Sequence, residues 1–250
     1  MTELFILTGA SRGLGRAMAS QLLAPDIDLL TLSRKPDASL AKEAGARCGH
    51  LEQWAVDVNN ASNIAARLEA WLHGQNAARF TRATLINNAG IIGSVGPVDS
   101  TDADTLAAVL RVGLEAPLLL TAAFLRATRG WAAQRRVLNI SSGAGRRPIA
   151  GWTAYCAAKA GLDHATRTIV LDEARQPNPA RLCSLAPGVI DTDMQSELRA
   201  AAAAGFPDQQ RFVELKQTGQ LATPEAAATR VLAYLNRDDF GADPVAEARG

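Results

Sequence analysis

The sequence has few cysteines and histidines and no excess of charge of either sign. Its three cysteines, Cys48, Cys156 and Cys183, lie far apart and form no CxxC pair, which is typical of a reduced protein and predicts a cytoplasmic location. The three histidines lack the spacing of metal ligands, so we expect no metal site. A formal net charge of +1 gives no electrostatic drive toward nucleic acid or a membrane surface. The N-terminal MTELFILTGA enters an apolar run with no basic segment before it, and we expect neither a signal peptide nor a membrane span.

Short apolar runs alternate with longer helical stretches along the chain. They predict six strands, with the sequences LFILTG, IDLLTLS, HLEQWAVDV, TRATLINNAG, RVLNISS and ARLCSLAPG. Strands that are apolar on both faces and separated by helices indicate a parallel sheet that is covered on both sides. We therefore predict that residues 1–250 form one α/β domain of the doubly wound Rossmann type, with a mainly parallel sheet flanked by helices on both faces. The polar stretch at about 193–220 is a candidate substrate lid.

A glycine-rich loop follows the first predicted strand. It reads TGASRGLG and places Gly9, Gly13 and Gly15 directly before a helix. Glycines at such a turn let the backbone approach a pyrophosphate, which is bound at the positive N-terminus of the helix. The spacing is GxxxGxG rather than the usual GxGxxG, so the position between strand and helix carries the interpretation.

The end of the second strand predicts which dinucleotide is bound. The residues there are Ser33, Arg34 and Lys35, with no acid before Asp37, and Arg12 lies in the glycine loop. An acid at this point would accept a hydrogen bond from the ribose 2′-hydroxyl of NAD, whereas guanidinium groups suit a 2′-phosphate. We therefore predict NADP(H) as cofactor, with exposed loop charges as the alternative interpretation of the basic residues.

The stretch TAYCAAKAG places Tyr155 and Lys159 four residues apart on a predicted helix, where both side chains share one face. A tyrosine packed on the core beside a lysine that extends to solvent would give the same pattern. The stretch alone leaves both interpretations open.

The ordered motifs TGASRGLG, NNAG at 87–90, ISS, YCAAK and PGVIDT resemble those of the short-chain dehydrogenase/reductase family over nearly the whole chain. The segments ISSGAGRRPIAGWTAYCAAKAG and PGVIDTDMQ are similar to the branch of sepiapterin reductases and bacterial benzil reductases. The resemblance implies that Tyr155 is the general acid/base and that Lys159 lowers its pKa and holds the nicotinamide ribose. It also implies that Ser142, thirteen residues before Tyr155, binds the carbonyl oxygen. The neighbouring Ser141 is expected to point into the sheet, because adjacent strand residues face opposite ways.

The resemblance implies a set of cofactor contacts drawn from the glycine loop, the strand ends and the catalytic helix. They are Gly9, Ser11, Arg12, Gly13, Leu14, Gly15, Arg34, Asp57, Val58, Asn88, Ala89, Gly90, Tyr155, Lys159, Pro187, Gly188, Val189 and Thr192.

One position departs from the family pattern. The family carries an asparagine in the helix after NNAG, where this chain has Gly113 in RVGLEAP, within a predicted long helix that contains Pro117. Two hypotheses follow: another group or a water replaces the amide in an active enzyme, or the protein is a silent NADP(H)-binding sensor. From the sequence we expect Gly113→Asn to leave activity the same or higher.

The substrate end of the predicted site is apolar. Trp152 and Met194 are expected to line it, together with Ile91, Ile92 and the segment Phe206 to Leu221. This apolar lining favours an aromatic ketone or a benzil-like 1,2-diketone as substrate, with a pterin side-chain ketone as the alternative. By resemblance Glu247 is the candidate pterin anchor, with a solvated tail charge as the alternative. The C-terminal sequence has diverged from the family pattern, so it does not decide whether a seventh strand forms.

The family commonly associates through two long helices, which here lie around residues 106–126 and 153–175. The resemblance therefore implies a homodimer or homotetramer.

Overall fold

The strands of the computed structural model, which describes residues 2–47, 49–200 and 205–248, form one parallel sheet. The strand order is β3-β2-β1-β4-β5-β6-β7. The strands are β1 Thr2–Thr8, β2 Ile27–Ser33, β3 His50–Ala55, β4 Phe80–Asn87, β5 Gln134–Ile140, β6 Arg181–Ala186 and β7 Val245–Glu247. The predicted doubly wound α/β fold is confirmed, because the order reverses between β1 and β4 and helices cover both faces.

The helices of the described residues are α1 Gly13–Gln21, α2 Ala38–Arg47, α3 Ala61–His73, α4 Ala103–Leu110, α5 Ala116–Ala127, α6 Thr153–Glu173, α7 Asp193–Ala200, α8 Gln209–Gln217 and α9 Pro224–Leu235. Side chains of β1 alternate between the two faces of the sheet. Leu4 and Ile6 pack with residues of α3 and α5, whereas Phe5 and Leu7 pack with residues of α1 and α9. This two-sided core explains why the strands read as continuous apolar runs.

The predicted long helix around Pro117 is interrupted. A π-helical turn, Arg111–Glu115, separates α4 from α5. Proline has no N–H to donate to the carbonyl of Gly113, four residues earlier, so the regular helical hydrogen bond is impossible at this point. The wider turn accommodates that loss, and it puts Gly113 at the distortion.

The stretch Ala103–Ala127 is long and apolar enough to span a membrane, but more than half of its most apolar window is buried inside the protein. Leu120, Ala123 and Phe124 are fully buried in the core beside α3. Its apolar character is therefore explained by packing within the domain.

The seventh strand is present although the sequence left it open. It has three residues and pairs with Ser184 to Ala186 of β6. The lid segment predicted at 193–220 contains α7 and α8, and residues 201–204 lie outside the described part of the chain. Cys156 and Cys183 are free thiols, while Cys48 also lies outside the described residues.

Candidate active site

A cavity of about 1340 Å³ lies at the carboxyl ends of the strands, around the reversal between β1 and β4. This is the edge at which open parallel sheets bind ligands. Every cofactor residue predicted from the sequence lines this cavity, and so do Ser142, Trp152, Met194 and Glu247. The structure thus gathers the predicted set around one space, while the role of each residue stays a prediction.

The glycine loop begins the cavity. Gly9 has φ +72°, a left-handed conformation that side chains disfavour. A Cβ at Gly15 would lie 2.1 Å from the carbonyl oxygen of Gly9, so no side chain fits there. Arg12 occupies the N-cap of α1, and its side chain has no acceptor atom that could cap the helix. The loop and the start of α1 therefore have the shape and polarity that a dinucleotide pyrophosphate requires.

The end of β2 contributes Arg34 to the cavity, but Asp37 does not line it. The Asp37 carboxylate accepts hydrogen bonds from Arg16 and from the Ser39 backbone N–H at 2.8 Å. Burial raises the pKa of Asp37, but bonds from Ser39 and Arg16 outweigh burial and hold it below its ordinary value. Asp37, the nearest acid after β2, is thus already hydrogen-bonded to residues of α1 and α2.

Arg12 also lines the cavity, but it has a protein partner. Its Nη1 lies 3.0 Å from Oδ2 of Asp193 at the start of α7, and both side chains are more than half exposed. The predicted phosphate contact of Arg12 would have to compete with this ion pair or share it.

Ser142 and Tyr155 meet at the cavity. Ser142 follows β5 in extended backbone, and its Oγ accepts a hydrogen bond from the Ala144 N–H at 3.2 Å. Burial raises the pKa of Tyr155, and its hydrogen bond with Ser142 acts in the opposite direction. Ser141 has a different partner: its hydroxyl donates to Oδ1 of Asp163 on α6 at 2.6 Å.

Lys159 lies below Tyr155 on the same face of α6. Its Nζ is 5.7 Å from the centre of the tyrosine ring and donates a hydrogen bond to the Ile140 carbonyl oxygen at 2.7 Å. Burial lowers the pKa of Lys159 to about 8, and the negative charge of Asp163 opposes that shift. The expected lowering of the Tyr155 pKa by Lys159 and a bound nicotinamide stays a prediction for the complex, because the protein groups alone raise it.

Gly113 packs directly against α6, the helix that carries Tyr155 and Lys159. A Cβ at this position would lie 3.0 Å from the Cβ of Ala158, the residue before Lys159. One turn along, a Cβ at Gly161 would lie 3.0 Å from a methyl group of Leu114. The π turn and α6 therefore approach too closely for an asparagine at 113 to fit without movement, which changes the expectation that Gly113→Asn is tolerated.

An aromatic cluster forms the apolar side of the cavity. Trp152 stacks on Phe206 with ring centres 5.5 Å apart and planes 13° apart, and it meets Phe212 at 5.5 Å. Its edge-to-face contact with Tyr155 has a centre distance of 5.4 Å. Trp152 thus lines the cavity, as the sequence predicts, and also packs against the aromatic rings beneath it.

Other predicted apolar residues divide between cavity and core. Ile91 lines the cavity, whereas Ile92 is buried in the core beside it. Ile149 and Leu198 also line the cavity and carried no sequence signal that separates them from ordinary core residues.

Glu247 lines the cavity, but its carboxylate accepts a hydrogen bond from Nη1 of Arg146 at 2.7 Å. Arg146 also donates to the Ala246 carbonyl oxygen at 2.5 Å, so it fastens β7 to the turn after Ser142. Sequence reasoning missed Arg146, because a pair of residues about a hundred positions apart leaves no local pattern.

The chain belongs to the short-chain dehydrogenase family, whose family model matches residues 3–203. It is 36% identical over 236 residues to benzil reductase ((S)-benzoin forming) of Bacillus subtilis, covering 94% of each chain. It is 33% identical over 247 residues to sepiapterin reductase of Xenopus laevis, covering 95% of this chain and 92% of the relative. The structure superposes with a TM-score of 0.71 and 26% identity on a metagenomic short-chain oxidoreductase in complex with NADP, covering 98% of this chain and 94% of that one.

Proposed function

We propose that the protein is an NADPH-dependent carbonyl reductase that acts on a small aromatic ketone or a benzil-like 1,2-diketone. The observation that carries the proposal is the meeting of Ser142, Tyr155 and Lys159 at a cavity that also contains the glycine loop and an aromatic wall. The similarity to benzil reductases over nearly the full length supports the substrate class.

The residues fit a nicotinamide cofactor, because the glycine loop lines the cavity at the start of α1, and its tight packing excludes a Cβ at Gly15. In this proposal NADPH supplies the hydride when bound. Tyr155 donates its phenolic proton to the ketone oxygen, and the Ser142 hydroxyl hydrogen-bonds to the same oxygen. Lys159 binds the ribose and stabilises the phenolate that remains, since a positive charge favours the ionised phenol.

The preference for NADPH rests on Arg34. It lines the cavity at the end of β2, where a 2′-phosphate would lie, and the nearest acid, Asp37, is bound to Arg16 instead. A structural relative in complex with NADP supports this choice. The ratio of kcat/KM for NADPH over NADH tests it, and a ratio near one would contradict it.

The alternative of a silent NADP(H)-binding sensor was raised by Gly113. The π turn exists with glycine at this position, so the distortion of the helix does not need an asparagine side chain. The retained Ser142, Tyr155 and Lys159 favour the active enzyme. NADPH turnover separates the two, because a sensor would bind the cofactor without consuming it.

A pterin ketone remains the second candidate substrate, because sepiapterin reductases are similar over 92% of their length. The ion pair of Glu247 with Arg146 weighs against it, since the predicted anchor is already engaged.

We also infer a cytoplasmic homodimer or homotetramer. Leu110 of α4 and Leu171 of α6, 39% and 68% exposed, support association through these helices.

The test is NADPH consumption with benzil by the wild-type protein, Tyr155→Phe and Tyr234→Phe. The two tyrosines are the only ones in the sequence, and Tyr234 contacts Cys183 on the other side of the sheet. We expect Tyr155→Phe to lose turnover while binding NADPH, and Tyr234→Phe to keep turnover. Cofactor binding without turnover of benzil, sepiapterin or other diketones would contradict the proposal.

A further inference from the structure

Asp163 is a buried acid next to the catalytic pair for which the proposed mechanism has no use. It follows Lys159 by four residues and Tyr155 by eight on α6, so the three side chains lie along one face of the helix. It is only 2% exposed and does not line the cavity. A carboxylate at this depth loses its hydration and is stable only where other groups compensate its charge.

The contacts of Asp163 are asymmetric. The hydroxyls of Ser141, directly after β5, and Ser184 on β6 both donate to Oδ1, each at 2.6 Å. Oδ2 receives no hydrogen bond from the described residues and lies 3.7 Å from Nε of Arg146. Two donors on one oxygen suit a carboxylate, which only accepts. The serines therefore orient the acid, but they leave part of its charge uncompensated.

Lys159 is a buried cation whose hydrogen-bond acceptor carries no charge. It is 4% exposed, and its Nζ donates to a neutral acceptor, the Ile140 carbonyl oxygen. Burial disfavours its ammonium form, and Asp163 is the charged group that favours it. The acid thus lies one helical turn from the buried cation that most needs a negative charge.

We propose that Asp163 is a positioning residue that keeps Lys159 charged and directed toward the active site, and that Arg146 weakens this effect from the other side of the carboxylate. The kinetic consequence rests on the proposed reductase function, because only a working enzyme uses the ammonium. The charge of Lys159 itself is measurable without turnover.

Among the described residues, the charged and titratable groups around Lys159 and Asp163 come from four elements. Tyr155 lies on the same helix, Arg146 on the turn after β5, Cys183 on β6 and Glu247 on β7. Burial raises the pKa of Cys183 to about 11, so this thiol is neutral where Lys159 titrates. Glu247 is paired with Arg146 and acts through it.

The test is the pKa of Lys159, measured by NMR on protein labelled with ¹³C-lysine. The sequence has only four lysines, so a Lys159→Arg sample assigns the signal. We expect Asp163→Asn to lower the pKa of Lys159 by roughly one pH unit, because the ammonium loses its favourable charge. Ser184→Ala is the matched control: it removes a hydrogen bond but keeps the carboxylate, and should leave that pKa nearly unchanged. A folded Asp163→Asn protein with the wild-type value would overturn the proposal.

A second variant has the opposite expected sign. Arg146→Gln removes the cation that offsets Asp163, so the pKa of Lys159 should rise, while Arg147→Gln at the exposed neighbour should not change it. If Asp163→Asn fails to fold, this variant decides, and an unchanged pKa in Arg146→Gln overturns the proposal.

Turnover provides an independent measurement. In Asp163→Asn the alkaline limb of kcat/KM should move to lower pH with the Lys159 pKa. A protein without reductase activity would refute the proposed function and leave the NMR result to judge Asp163. An active variant with a wild-type pH profile would refute the role of Asp163 alone.

Discussion

The packing of Gly113 on Ala158 predicts that even a single methyl group at position 113 disturbs the protein. Carbon atoms in proteins pack at about 3.5–4.0 Å, so the 3.0 Å approach of a Cβ at 113 requires a movement of roughly 0.5 Å or more. Ala158 cannot rotate away, because its Cβ is fixed to the backbone of α6. The movement must therefore change the position of the π turn relative to the helix that carries Tyr155 and Lys159.

The size of the effect follows from two opposing contributions. Overpacking a buried site costs about 1–3 kcal/mol, while replacing glycine by alanine in a helix gains about 1 kcal/mol. Gly113→Ala should therefore lower the free energy of unfolding by about 0–2 kcal/mol. Gly113→Asn gains less from helix propensity and adds a buried amide, so we expect a loss of about 1–3 kcal/mol. Small displacements of reacting groups are costly, and kcat should fall roughly tenfold or more in both variants.

The assay is a double-mutant cycle with Ala158→Gly, read by denaturant unfolding and by NADPH turnover. Removing the Ala158 methyl group opens the space that a Cβ at 113 needs. The free energy of unfolding of the double variant should exceed the value expected from the two single variants by at least about 1 kcal/mol. Its kcat should partly recover. If Gly113→Ala is more stable than the wild type and the coupling is zero, the close contact does not limit this position.

Three further predictions concern the two ends of the cavity. Trp152→Ala should lower the free energy of unfolding by about 3–5 kcal/mol and raise KM for aromatic ketones, because it removes the ring stacked on Phe206. Denaturant unfolding and KM measurements on this variant and on Trp152→Phe check this prediction. Arg34→Ala should raise KM for NADPH by roughly tenfold or more and leave KM for NADH nearly unchanged, since only the former carries the 2′-phosphate; equal changes for both cofactors would contradict it. NADPH affinity should fall as pH rises past the Lys159 pKa of about 8, because an anionic cofactor favours the ammonium and its binding takes up a proton; fluorescence titration across that pH range shows whether it does.

Local patterns in the sequence were sufficient for most of the fold and for the residues around the cavity. The six longer strands are apolar runs between helices, and the glycine loop and YCAAK are short motifs whose order along the chain is informative. The seventh strand, VAE, has three partly exposed residues and no periodicity to detect. It forms because β6 provides a partner and Arg146 binds both Glu247 and Ala246.

Interactions between distant segments could not be predicted in this way. The ion pair of Arg12 with Asp193 joins residues 181 positions apart. The contacts of Asp163 join α6 to β6 and to the residue directly after β5, and only the packing of those elements brings its serine partners together. The π turn could be predicted only in part. A proline four residues after Gly113 indicates a missing hydrogen bond but not the conformation that replaces the regular helix.

The central claim is that this cavity transfers a hydride from NADPH to a ketone with Tyr155 as proton donor. The most direct measurement uses NADPH deuterated at either face of the nicotinamide C4, with benzil as substrate and mass spectrometry of the product. We predict that one of the two labelled cofactors delivers deuterium to the new carbinol carbon, and that Tyr155→Phe loses this transfer. NADPH that binds without transferring label to benzil or related ketones, or transfer that continues unchanged in Tyr155→Phe, would contradict the account.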